Sequence, residues 1–236
     1  MSRSRYVHRG TQLFLVLAIL QTHAPAAFAD HPGADLDKIM GSKEKFFQPI
    51  DRKSPDFELR AAGGQLVKLD SLREKVVILN FIYTKCPDIC PLHTEYLSKV
   101  QSMINQTPMK DMVRFVSITT DPVNDTADAL KAYGAVHGAN TFNWLFLTTA
   151  RGQPEDTTRK LAEAFGHKFT KTGDDYQAHS VVTHVIDRNG RWAANFHGLR
   201  FNPLNLVLYV NGLTNNPSVS QREKPQGLWD RLKRLF

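Results

Sequence analysis

The stretch KVVILNFIYTKCPDICPLHTEYLSKVQSMINQ, residues 75–106, joins two kinds of pattern. From Lys75 to Tyr83 it is a near-continuous run of β-branched and aromatic residues, which predicts a central strand covered on both faces. Beyond it, Leu92, Tyr96 and Val100 recur at steps of four and Leu97, Met103 and Ile104 widen the apolar face, which predicts a helix over Leu92–Gln106. Cys86 and Cys90, the chain's two cysteines, fall at the junction, and Pro91 suits a first helical turn, where a missing N–H costs nothing. A thiol placed there meets the free N–H groups and the positive end of the helix dipole, and both favour the thiolate.

Upstream, Phe57/Leu59 and Leu66/Leu69 flank Gly63-Gly64, a hairpin signal. Residues 30–53 are polar and weakly periodic and read as an extended N-terminal arm. Downstream come a strand in VRFVSITT (113–120), a helix carrying Ala129, Leu130 and Tyr133 that Asn124 or Asp125 can cap, a strand in WLFLTT (144–149), and a helix in residues 154–166 that opens on Pro154 and closes on Gly166. SVVTHVID (180–187) and WAANFHG (192–198) form a hairpin about Asn189-Gly190, and PLNLVLYVNGL (203–213) is a closing helix or strand. A β-α-β unit followed by a β-β-α unit is the thioredoxin arrangement. The expectation is an α/β, thioredoxin-like fold over residues 54–216, with an N-terminal β-hairpin extension and a central mixed sheet flanked by helices.

The chain has 236 residues, enough for one substantial core. Its net charge of +7 includes Arg3, Arg5 and Arg9 from the first 29 residues, which hold no acid, and the scattered remainder argues against nucleic acid as a partner. Basic SRSRYVHR, the apolar run Leu13–Leu20, and Ala27 and Ala29 before Asp30 make residues 1–29 a signal peptide by pattern, with cleavage after Ala29 and export to the periplasm expected; an uncleaved membrane anchor is the alternative. In an oxidising compartment Cys86 and Cys90 can close as a disulfide.

The C-x-x-x-C spacing departs from the C-x-x-C of dithiol oxidoreductases and widens the bite between the thiols. Such a pair suits a soft cation, and copper(I) takes thiolates with an imidazole beside them. His179, just before a strand expected to lie beside the first core strand, is the candidate third ligand; His184, an odd number of residues on, points to the other face.

Residues 54–93, then SITTDPVNDT and DDYQAHSVVTHVIDRNGRW, resemble the Sco/SenC family: exported, thioredoxin-like, copper-binding proteins that take part in assembling cytochrome c oxidase. The resemblance covers about Ser54–Leu213. It implies copper as Cu(I) or Cu(II), with Cys86, Cys90 and His179 as ligands, and Asp121 as a residue near the site or in partner recognition; an Asp before Pro122 also reads as a turn former. It implies the copper-bearing subunit of cytochrome c oxidase and other copper chaperones as partners. Relatives are usually tethered by an N-terminal membrane helix, from which this chain departs.

A metallochaperone is the first reading. A thiol-disulfide oxidoreductase using Cys86 and Cys90 is the alternative, and a redox- or copper-sensing role on the same residues the third; a permanent disulfide staple is disfavoured because a short loop gains little from closure. His93 is expected to be exposed, His197 to belong to the hairpin, Met109 and Met112 to pack, and His31 to be solvated. Residues 217–236 form a basic amphipathic tail, in which Leu228, Trp229, Leu232, Leu235 and Phe236 make one stripe for a membrane surface, a partner or the domain itself.

Overall fold

The computed structural model describes residues 33–172, 175–178 and 180–215. The expected leader at 1–29, the tail at 217–236 and His179 lie outside the described residues. In chain order the elements are α1 (Ala34–Lys43), β1 (Phe47–Lys53), β2 (Glu58–Ala61), β3 (Leu66–Lys68), β4 (Val76–Ile82), α2 (Ile89–Asn105), β5 (Val113–Thr119), α3 (Ala127–Val136), β6 (Trp144–Thr148), α4 (Thr157–Ala164), β7 (Phe169–Thr172), β8 (Asp175–Ala178), β9 (Val182–Ile186), β10 (Arg191–His197) and α5 (Pro203–Asn215). One sheet runs β1-β10-β9-β4-β5-β6-β2-β3, and β7 and β8 pair separately.

The strand expected to be central is central. β4 pairs in parallel with β5 and antiparallel with β9, and each of its seven residues is buried. Its alternate residues serve two cores. Val76, Ile78 and Ile82 meet Leu97, Val100 and Ile104 of α2, with Leu130 and Tyr209 from α3 and α5. Val77, Leu79 and Phe81 meet Leu161 and Phe165 at α4, with Trp192. Each such aliphatic side chain contributes about 1.5–3 kcal/mol by leaving water, so covering both faces of β4 dominates the stability. The unit β4-α2-β5 followed by β9-β10-α5 is the thioredoxin arrangement, and the β2–β3 hairpin extends the sheet beyond β6. α5 resolves the helix-or-strand ambiguity of residues 203–213 in favour of helix.

Residues 34–53 correct the expectation of an extended arm. They form a helix and an edge strand, and β1 pairs antiparallel with β10. Polar contacts hold them: Tyr209 donates to Asp37 at 2.5 Å, and Glu44 accepts from the Phe46 and Asn202 backbones and from Asn205. Phe47 inserts between Phe196 and Tyr209, ring centroids 5.3 and 5.0 Å away. The β9–β10 hairpin turns at Gly190 (φ +77°), a left-handed conformation that glycine adopts without strain. Asp187 braces the turn by accepting from the Asn189 and Arg191 backbones. Among the described residues, no helix is long and apolar enough to cross a membrane.

Candidate metal centre

β4 ends at Ile82 and α2 begins at Ile89, so the cysteines sit where the sequence placed them. The Cys86 N–H donates to the Tyr83 carbonyl at 3.2 Å, turning the chain so that the Cys86 sulfur faces the first turn of α2. There it accepts from the Cys90 N–H at 3.4 Å. Asp88, at the N-cap position, makes no side-chain cap, so the sulfur occupies the role that a capping oxygen usually fills.

The two thiols are free and electrostatically unequal. Burial opposes ionisation of Cys86, yet the N–H groups of Asp88 and Cys90, with the Cys90 thiol and Tyr83, outweigh it and hold Cys86 below the ordinary thiol range. Cys90 goes the other way: burial first, then the charge of Cys86, push its thiol far up. The pair therefore offers one thiol that ionises more readily than an ordinary thiol and one that gives up its proton when something replaces it, such as a cation or a sulfur–sulfur bond.

Cys86 and Cys90 both line a cavity of about 200 Å³ whose walls include Phe81, His93, Thr120, Ser180 and Val181. Ser180, part of that wall, directly follows His179 in the sequence. Two soft donors in one recess fit a soft monovalent copper ion. Among the described residues, no cluster of three His, Cys, Asp or Glu side chains is arranged to hold a metal ion.

His93 corrects the expectation of exposure. It is 3% exposed, its Nε2 lies 2.8 Å from Thr183 Oγ1 on β9, and burial lowers its pKa to about 3, so it lines the pocket as a neutral ring. His184 lies on the α4 side of the sheet, away from the pocket wall. His197 ends β10, as expected, and Met109 packs on the core.

Asp121 sits half-exposed beyond β5. Its carboxylate accepts from Asn124 Nδ2 at 2.9 and 3.0 Å, its carbonyl accepts from the Asp125 N–H, and it faces a shallow depression beside Glu155 and Arg159. The neighbouring acid is the one bound to the cysteine segment, and its role was missed in the sequence. Asp125, expected as a helix cap, is 1% exposed; it accepts from the Thr84 N–H (3.1 Å), from Thr84 Oγ1 (2.5 Å) and from Thr119 Oγ1, tying the turn before Cys86 to the end of β5. The cap of α3 is Thr126, whose hydroxyl accepts from the Ala129 N–H. No spacing rule separates these two neighbours, because Asp125 is committed to a partner 41 residues away.

The SCO2-like protein RP587 of Rickettsia prowazekii is 32% identical over 146 residues, 60% of this chain and 67% of its own. The structure of Bradyrhizobium japonicum ScoI with copper bound matches with a TM-score of 0.56 at 25% identity, over 68% of this chain and 99% of that one. BsSco, described as a member of the Sco family of cytochrome c oxidase assembly proteins with a disulfide switch, shares the fold at a TM-score of 0.62 and 24% identity, over 71% and 96%. The family model SCO1/SenC matches residues 48–208, a span that holds the strand, both thiols and the α2 helix that present them. This chain belongs to the SCO1/SenC family.

Proposed function

We propose that this chain is a copper metallochaperone of the Sco type, taking up copper on Cys86 and Cys90 with His179 as third ligand and passing it on by ligand exchange. The observation that carries the reading is the recess at the start of α2, where both cysteines line one cavity and Ser180, next in the chain to His179, forms part of the wall. Family membership supports copper, since the Bradyrhizobium relative is described with copper bound. The recipient is the copper-bearing subunit of cytochrome c oxidase, reached in the periplasm after removal of residues 1–29, with other copper chaperones as donors and the basic tail at 217–236 as a surface contact.

Copper is cargo here, so the protein's work is to hold and release it. Cys86 ionises more readily than an ordinary thiol and Cys90 holds its proton more tightly, so loading both as thiolates releases at least one proton and weakens as pH falls. The test is an anaerobic titration of the reduced protein with copper(I). One equivalent should bind, and His179→Ala should bind more weakly with an altered spectrum. A His179→Ala protein of unchanged affinity and spectrum removes the three-ligand site.

The inequality of the thiols favours a second reading, a thiol-disulfide reductant in which the Cys86 thiolate attacks a partner disulfide and Cys90 resolves the mixed disulfide. Steady turnover of a disulfide substrate by the metal-free protein, insensitive to His179, would establish it.

A further inference from the structure

Beside the cysteine pocket, on the α4 side of the sheet, runs a chain of buried polar groups that thiol chemistry does not use. Ser180 Oγ is 2.9 Å from His167 Nδ1, and His167 Nε2 is 2.9 Å from His184 Nε2. His184 Nδ1 is 2.7 Å from Asn195 Oδ1, and Trp192 Nε1 is 2.8 Å from the same oxygen. A register shift in β10 between Trp192 and Ala194 makes this meeting possible. Strict alternation would set Trp192 and Asn195 on opposite faces, whereas here Trp192 pairs with Ile186 and Asn195 with His184, on one face. Aromatic rings enclose the two imidazoles: Phe81 lies 4.9 Å from His167, and Phe165 and Trp192 lie 4.9 and 5.2 Å from His184.

The order of the protons follows from one indole. A Trp N–H can only donate, so the Asn195 atom that meets it is the oxygen. Facing that oxygen, His184 must carry hydrogen on Nδ1. Burial keeps both imidazoles neutral, lowering His167 to about 4 and His184 well below the ordinary value. His184 Nε2 is therefore an acceptor, His167 must hold its hydrogen on Nε2, and His167 Nδ1 accepts from the Ser180 hydroxyl. The reverse order, with His167 Nδ1–H directed at the Ser180 backbone, would make His184 Nε2 the donor and set its bare Nδ1 against the Asn195 oxygen.

We infer that His167 is a positioning residue: aligned by His184, Asn195 and Trp192, it fixes Ser180 against the wall of the Cys86–Cys90 pocket and so restrains the chain that follows His179. The inference rests on the copper reading, because restraining this segment matters where His179 is a ligand. A partner bonded directly to a ligand is worth roughly 10–100-fold in metal affinity, and His167, acting one residue away from it, is expected at the low end of that range.

Two measurements on the full chain test it. Long-range proton–nitrogen NMR on the metal-free protein reads the tautomers directly; hydrogen at His167 Nε2 and His184 Nδ1 is expected, and the opposite pair overturns the relay. Anaerobic copper(I) competition against a chromophoric chelator is then run on His167→Phe, Ser180→Ala, the double variant and His167→Asn. The first two should bind about tenfold more weakly. The double variant should lose no more than either, since both remove one hydrogen bond, and His167→Asn, whose oxygen can stand near Nδ1, should recover most of the affinity. Ser180→Ala keeps the test decisive if His167→Phe folds poorly. Wild-type affinity in Ser180→Ala, or losses that multiply in the double variant, overturns the inference while copper binding stands. A wild-type protein that binds no copper(I) instead overturns the copper reading, and the inference falls with it.

Discussion

Acidification should unfold this protein over a narrow range, and three imidazoles set the slope. His93, His167 and His184 are 3%, 4% and 0% exposed, and burial is the first cause of a lowered pKa in each: to about 3, to about 4 and well below 6.5. In the unfolded chain the same rings titrate near 6.5. Below that value the unfolded state binds protons that the folded state refuses. The stabilising contribution is therefore complete above pH 6.5 and is lost as pH falls toward the folded values. One proton difference is worth about 1.4 kcal/mol per pH unit, so three neutral rings cost about 4 kcal/mol per unit between pH 5.5 and 4.5. Against a typical domain stability of about 5–15 kcal/mol, that removes most of it before pH 4. Guanidinium unfolding at pH 6.5, 5.5 and 4.5, at fixed ionic strength and extrapolated to water, measures the slope. His93→Gln, whose amide can still bond Thr183 Oγ1, should flatten it by about a third. A slope under about 1 kcal/mol per unit, or one that His93→Gln leaves unchanged, would refute the reasoning.

Asp125→Ala should cost about 2–4 kcal/mol, because it strands the Thr84 N–H and two hydroxyls, and thermal unfolding should report a fall of roughly 4–16 °C. Burial raises the Asp125 pKa in the folded state, so the ionised carboxylate loses stability as pH rises through its folded pKa; the stability of Asp125→Asn relative to wild type should improve from pH 4 to pH 7 in denaturant titrations. Gly134→Val should cost about 1–3 kcal/mol, since a Cβ there would stand 2.6 Å from the Phe146 ring, which stacks on Trp144; a change under 0.5 kcal/mol would mean that the ring or α3 shifts freely. Because Cys86 is the less solvent-exposed of the two cysteines, iodoacetamide alkylation is followed against pH: the Cys86 left in Cys90→Ser should reach its half-maximal rate at lower pH than the Cys90 left in Cys86→Ser, and equal midpoints would contradict the inequality of the pair.

The junction of β4 and α2 was legible because its signals are local. A strand buried on both faces reads as a continuous apolar run, and a helix with one buried face repeats every three to four residues. What was not legible depends on partners far along the chain. α1 buries little beyond Asp37 and Met40 and docks through the hydrogen bonds of Asp37 and Glu44, so it leaves no hydrophobic period to find. His93 is turned inward by Thr183, 90 residues on, and Asp125 leaves the capping role to Thr126 because Thr84 holds it. The contact of the Cys86 sulfur with the Cys90 N–H was not read from the spacing, although its two partners lie four residues apart.

The pairing of β1 with β10 sets how far the molecule can be trimmed. A fragment starting at Ser54, the boundary that composition suggests, would expose the full backbone edge of β10 and leave open the slot that Phe47 fills between Phe196 and Tyr209. An uncapped edge beside an apolar slot is a template for another copy's strand. β1 is itself a poor template, with Pro49 lacking a donor, Asp51 at φ +50° and Arg52 and Lys53 charged. Residues 34–53 thus act as a solubility cap, and a shorter fragment would be expected to self-associate in light scattering while one starting at Gly33 stays monomeric.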